Sequence, residues 1–229
     1  MENADREKTS WTLVRDAGDG DVGGRRAFAR IYEPIVRAYL GARWQGSPLA
    51  HAMDDAVQDV FLDCFREGGA LSRANPDRGA RFRTFLYGVV RNVALRHEER
   101  RARERARVAP AAELLDTVPA DDERLSRVFD RAWAVALLRR AVTRQREAAM
   151  VKGEDALRRV ELLELRFGRD LPIREIAKLW DEDPARVHRW YARARAEFKR
   201  SLREEVAADH PGTPGEIERE CANLLSLIG

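Results

Sequence analysis

The sequence predicts an all-α protein built as two small helical bundles, and three observations carry that reading. Apolar residues recur at three- and four-residue spacing along most of the 229 positions. No stretch shows the sustained alternation of a half-buried strand. An acidic, proline-bracketed segment separates two strongly basic ones, as a connector between domains does. Hydrophobic residues make up 44% of the chain, enough for one or two modest cores, and charged residues 35%, above the usual quarter or so. No run is long and apolar enough to span a membrane. The polar N-terminus lacks the apolar core of a signal peptide. Two distant cysteines, Cys64 and Cys221, and four scattered histidines fit neither a disulfide scaffold nor a zinc site. The expectation is a cytoplasmic protein with no metal and no cofactor.

Ser10 is placed to cap a short helix over Trp11 to Ala17, which the Gly/Asp stretch 18–24 ends. A longer helix follows, carrying Phe28, Ile31, Ile35, Val36, Tyr39 and Leu40, with Pro34 predicting a kink. From Met53 to Arg66, Val57, Val60, Phe61, Cys64 and Phe65 form one apolar stripe. Asp55, Asp59 and Asp63 recur at every fourth position on another face, beside Gln58. Stacked carboxylates repel one another, so that face calls for a cationic partner. A Gly/Asn/Pro-rich loop (67–80) leads to a long helix with Phe82, Phe85, Leu86, Val89, Val90 and Val93 on its apolar side. Thr84, Gly88, Arg91, Asn92, Arg96 and Arg100 line its other side. Beyond the connector, Phe129, Trp133, Leu137 and Ala141 mark one helix, and Leu157, Val160, Leu163 and Phe167 the next. The tryptophans are mostly core at helical spacing, with Trp190 the candidate for exposure.

Charge is unevenly placed. From Arg81 to Arg107 nine arginines face three glutamates; from Arg186 to Arg203 six arginines and Lys199 face Glu197 alone. Between them runs the acidic AAELLDTVPADDE. Two cationic segments joined by an anionic one point to two surfaces that meet phosphate, although solvated helix faces share the pattern. Arginine outnumbers lysine 38 to 4, through GC-rich codons or through bidentate phosphate chemistry.

The sharpest local pattern is LPIREIAKLWDEDPARVHRWYARARAEFKR (171–200). Ile173, Ile176, Ala177 and Trp180 form the inner face of a short helix. Asp181 to Asp183 make a turn, and Asp183 with Pro184 starts a second helix packed by Val187, Tyr191 and Ala194. Arg186, His188, Arg189, Arg193 and Arg195 project outward. A plain helical hairpin explains the apolar spacing; the cationic outer face points to a DNA-reading helix-turn-helix. Gly18, Gly20 and Gly23 match G-x-G-x-x-G without the strand that motif needs, and so read as a loop. Neither Asp54/Asp55 nor Asp121/Asp122 lies near a histidine or glycine-rich turn, so no catalytic residue is assigned and the chain is read as a non-enzyme.

These segments resemble, in order and over nearly the whole chain, the extracytoplasmic-function (ECF) sigma factors of bacterial RNA polymerase. DDAVQDVFLDCF (54–65) resembles the helix that grips the β′ clamp helices, which implies Asp55, Gln58 and Asp59 as polymerase contacts. RFRTFLYGVVRNVALRHEERRAR resembles the helix that reads and opens the −10 element. That likeness implies phosphate contacts at Arg81, Arg83, Arg91, Arg96 and Arg100 and a base contact at Asn92. Phe82 and Phe85 are either a platform for flipped bases or buried core, with the preceding loop as the other candidate pocket. Residues 171–200 resemble the −35-reading helix-turn-helix, implying contacts from Arg186, His188, Arg189, Arg193 and Arg195. The segments 129–141 and after Glu205 resemble a planctomycete-type subgroup. Asp181 and Glu182 depart from the glycine and apolar residue usual in the turn, and Arg186 stands where a small hydroxyl residue is usual.

The resulting organisation is 1–107 as a sigma region 2-like domain and 108–127 as an acidic linker. Residues 128–208 form a region 4-like domain, and 209–229 an amphipathic tail. Implied partners are the polymerase core, including the β flap, and promoter DNA, with an anti-sigma protein as a possible restraint. The tail, with Ile217, Cys221, Leu224, Leu225 and Ile228 as its stripe, either packs on the second domain or pins the two domains together. The alternative function is a helix-turn-helix regulator that never joins polymerase.

Overall fold

The computed structural model describes residues 10–74, 82–108, 121–209 and 212–228, and among them every regular element is helical. Arg81, loop positions 75–80 and most of the acidic connector lie outside the described residues. The chain forms two compact units. One holds 1–136 with 208–210 and 224–229; the other holds 137–207 with 211–223. The units therefore divide inside a helix rather than in the proline-bracketed connector.

The first unit contains α1 (Ser10–Gly18), α2 (Val22–Arg43), α3 (Met53–Phe65), α4 (Phe82–Val108) and the start of α5 (Asp122–Lys152). Asp21 caps α2 by accepting the Gly24 N–H at 2.6 Å. Gly24 is needed where α1 approaches: a Cβ there would lie 2.9 Å from the Asp16 Cβ. The helix continues through Pro34 to Arg43.

Its core is aromatic. Tyr32 meets Phe82 at 5.3 Å and Trp133 at 5.4 Å between ring centroids, and Phe129 packs on Tyr39 and Tyr87. This packing draws the first half of α5 into the first unit. Composition located a connector, but the large aromatic area buried by Phe129 and Trp133 decides where the compact unit ends. Phe82 is 0% exposed at the centre of the cluster. The expectation that it offers a stacking platform for bases is corrected: its apolar surface is already spent on Trp11, Phe28, Tyr32 and Trp133.

A charged clamp ties α2 to α4. Arg43 donates through Nε and Nη2 to the two carboxylate oxygens of Glu98, at 2.6 and 2.8 Å, and Trp44 Nε1 donates to the same carboxylate at 2.9 Å. Burial alone pushes the Glu98 carboxyl up; the Arg43 and Trp44 hydrogen bonds outweigh it and hold the group below the usual carboxylate range.

The second unit contains the rest of α5, α6 (Glu154–Leu163), a π turn (Glu164–Gly168), α7 (Ile173–Trp180), α8 (Pro184–Asp209) and most of α9 (Pro214–Ser226). Leu162, Leu165, Ile176, Ala177 and Val187 form its main core cluster. Phe167, expected on the buried stripe of its helix, is instead 68% exposed. The π turn inserts an extra residue per turn and rotates Phe167 out, leaving Leu165 inward. Acidic residues of α8 face in: Glu197 takes both ends of the Arg159 fork at 2.8 and 3.1 Å, and Glu205 accepts from Arg144 at 2.6 Å.

In α9, Thr213 and Glu216 form a reciprocal capping box, with Pro214 at the first helical position. Glu218 bonds Arg203 at 2.7 Å and also pairs with Lys199, both on α8. Cys221 and Leu224 are buried, while Leu225, expected on the same stripe, is exposed.

Two outcomes follow from these contacts. Because the Glu98 carboxyl is held low, its stabilisation is complete above the unfolded carboxylate pKa of about 4.3 and fades as pH falls through the lower folded value. Glu98→Gln should therefore cost about 2 kcal/mol at neutral pH, with the gap to wild type closing on acidification. Urea unfolding at several pH values checks it. In α9, Glu218→Gln should loosen the docking and speed alkylation of Cys221 severalfold, leaving Cys64 in the core of the first unit unchanged; mass-resolved thiol labelling reads both sites.

Candidate protein- and nucleic-acid-binding faces

The carboxylate row on α3 is divided by the geometry of the helix. Each step of four residues advances about 40° around the axis, so Asp55, Asp59 and Asp63 drift towards α4 instead of sharing one face. Asp63 pairs with Arg96. Asp59 accepts from Nε2 of the buried His97 at 2.8 Å. A carboxylate only accepts, so His97 carries its hydrogen on Nε2; its Nδ1 then accepts from Arg100 Nη2 at 3.2 Å. The cationic partner expected for this row is supplied from within the chain for Asp63, by Arg96, while Asp59 is taken by the His97 ring. Asp55 and Gln58 are exposed and make no hydrogen bond or ion pair among the described residues.

Leu62 shares the outward face with Asp55 and Gln58, at spacings of seven and four, and is 56% exposed. Sequence reasoning left it out of the apolar stripe of this helix and gave it no role on the carboxylate face. The signal was its place in the i, i+3, i+7 row that begins at Asp55.

On α4 the expected contacts fall into three groups. Asn92, Arg96 and Arg100 are exposed, the two arginines while also bonded to Asp63 and His97, as is every residue from Ala102 to Arg107. Arg91 pairs with Asp122 at 3.0 Å and Arg83 with Asp130 at 3.4 Å, so both are engaged with the start of α5. Phe85 is half-buried, its ring stacked on Phe82 at 5.9 Å. An open cleft between α3 and α4 is rimmed by Arg25, Arg66, Arg96, Arg100 and Arg103, with Asp59 and Asp63 on its wall.

In the second unit the two-helix motif forms with its unusual turn. Asp181 ends α7 in the left-handed region at φ 51° and ψ 47°, a conformation aspartate tolerates better than most residues. The Glu182 N–H closes the helix end on the Ala177 carbonyl at 2.9 Å. Asp183 accepts the Ala185 N–H at 3.2 Å and starts α8. Val187 and Ala194 are buried, while Arg186, His188, Arg189, Arg193 and Arg195 are all exposed. Trp190 is half-buried and meets Trp180 at 6.3 Å.

Among the described residues no group of histidines, cysteines and carboxylates is placed to hold a metal ion, and no helix is long and apolar enough to cross a membrane. Asp54 pairs with Arg37 at 2.7 Å and Asp122 with Arg91.

The Sigma-70 region 2 family matches residues 28–104, about a third of the chain, from Phe28 in α2 through α3 to Glu104 in α4. No curated protein matches the chain. The matched segment is the part of the first unit that carries both the outward α3 face and the exposed α4 row.

The α3 geometry separates two carboxylates that look equivalent in sequence. Asp59→Ala should destabilise the fold by about 1–3 kcal/mol, because buried His97 loses its acceptor. Asp55→Ala should stay within about 0.5 kcal/mol of wild type. Equilibrium denaturation of the two variants makes the comparison.

Proposed function

We propose that this chain, which carries a Sigma-70 region 2 domain, is an ECF-type sigma factor that directs bacterial RNA polymerase to promoters and performs no chemistry of its own. The observation that carries the reading is the family match over 28–104, on a segment whose α3 turns Asp55, Gln58 and Leu62 outward. A ridge with a carboxylate, an amide and an exposed leucine suits a protein partner better than phosphate. In this reading it grips the β′ clamp helices, while the second unit meets the β flap.

Asn92, Arg96 and Arg100 on α4 then face the −10 element, the arginines on phosphates and Asn92 on a base edge. Opening a duplex loses about 1.4 kcal/mol of stacking per step. Capturing a freed base on an aromatic surface returns about 1–3 kcal/mol, so one or two captured bases suffice to nucleate melting when polymerase contributes the rest. With Phe82 in the core, the capture falls to the segment ahead of α4 together with the half-buried Phe85. The exposed arginines of α8 lie along the major groove of the −35 element as a helix-turn-helix recognition helix does. The two units act on two DNA elements while one ridge docks the whole on polymerase.

Run-off transcription with purified core polymerase, on the promoter upstream of the chain's own gene, tests the reading. Asp55→Arg with Gln58→Arg should abolish co-elution with core polymerase and reduce the run-off product at least tenfold, with the melting temperature unchanged. These two positions are cleaner than Asp59, whose replacement also strips His97. Should the wild-type chain bind duplex DNA tightly alone and ignore polymerase, it is a helix-turn-helix regulator of the ordinary kind.

A further inference from the structure

Among Arg186, Arg189 and Arg193 of α8, only Arg186 has its guanidinium held by both a carboxylate and an aromatic ring. Its Nη1 donates to Glu182 Oε2 at 3.2 Å, and its guanidinium carbon lies 4.7 Å from the centre of the Trp190 ring. Both partners are themselves fixed. The other Glu182 oxygen faces Arg158 at 3.7 Å, and Arg158 lies over Trp180 at 5.0 Å and Trp190 at 5.4 Å. The two tryptophans meet edge to face and pack on the core cluster of the unit. Arg186 is thus one corner of a closed network of two arginines, two tryptophans and a carboxylate.

That network leaves one edge of the Arg186 guanidinium available. With Nη1 committed to Glu182, the Nε and Nη2 edge keeps two parallel N–H donors, and no described residue accepts from them. Two parallel donors at fixed orientation match the O6 and N7 acceptors that guanine alone presents side by side in the major groove. Arg186 stands at the third residue of α8, and in helix-turn-helix motifs the N-terminal residues of the second helix contact base edges. Among the described residues Arg189 and Arg193 have no such partner and hold no fixed fork, which suits phosphates.

We propose that Arg186, positioned by Trp190 and Glu182, is the specificity-determining residue of α8 and reads a guanine in the upstream promoter element. This rests on the reading of α8 as the −35 helix. It assigns base selection to one arginine and general affinity to the others.

The full-length chain, assembled with core RNA polymerase, is used to select from duplex promoters randomised across the upstream element. Wild type should enrich a G·C pair at one position by about tenfold or more over any other pair. Arg186→Lys keeps the charge and loses the fork; it should lose that preference while retaining overall affinity within about threefold. Arg193→Ala should weaken binding to every sequence alike, lower the salt dependence by about one unit, and keep the preference. Trp190→Ala should blunt the preference, and Trp190→Phe, which restores a ring under the guanidinium, should recover most of it. Preferences unchanged in Arg186→Lys would overturn the assignment and leave the promoter reading standing. Enrichment of no sequence at all by the wild-type holoenzyme would bring down both.

Discussion

Pairing of carboxylates with arginines inside each unit is the constraint on which the rest of the structure depends. The chain carries nearly balanced charge, 42 basic against 39 acidic residues, yet its outer faces on α4 and α8 are cationic. Part of that asymmetry arises because some acids of these helices are consumed inward, while Glu99, Glu104 and Glu204 stay exposed. On α4, Glu98 closes on Arg43; on α8, Glu197 and Glu205 close on Arg159 and Arg144. Each pair ties two helices together with charge-assisted hydrogen bonds stronger than neutral ones. Each also removes a negative charge from the surface that phosphate must approach. The same contacts that hold the helices in place set the sign of the exposed face.

The helical period was the most legible part of the sequence. Phe129, Trp133, Leu137 and Ala141 recur at four-residue steps, and all four are buried. What periodicity could not reveal was a change of period. Extending the stripe Leu157, Val160, Leu163 to Phe167 assumes that α6 continues as an α-helix, and the π turn at Glu164 breaks that assumption. The division of the chain was obscured for a related reason. Prolines and acidic residues mark where a chain runs free, whereas the aromatic packing of Phe129 and Trp133 depends on partners as remote as Tyr32 and Tyr39, and no local window contains both.

The α3 face shows a second limit of reading by spacing. Every fourth position looks like one column in sequence, but an α-helix repeats at 3.6 residues, so a row of three such positions twists by about 80°. That twist is enough to carry Asp63 onto Arg96 and Asp59 onto His97 while Asp55 stays outward. The sequence displayed the carboxylates; only the packing of α3 on α4 sorted them into structural and available ones. His97 had no assigned role in the sequence, because a histidine between Arg96 and Glu98 gives no sign that it will be 3% exposed and bridge Asp59 to Arg100.

The excess of arginine over lysine has two candidate explanations, codon composition and chemistry, and the contacts show how much chemistry is present. Arg43 and Arg159 each engage both oxygens of one carboxylate, and Arg25 splits its donors between the Ala17 and Phe65 carbonyls. Arg158 lies over two indole rings while facing Glu182. Each of these uses the planar fork or the flat face of a guanidinium, and an ammonium group has neither. Among the described lysines, Lys178 and Lys199 form single exposed pairs with Glu175 and Glu218. Codon usage sets how often arginine occurs but does not place it at positions where two donors are needed in one plane. Where such a fork is also fixed at the surface, as at Arg186, the geometry that stabilises a fold becomes geometry that can discriminate among ligands.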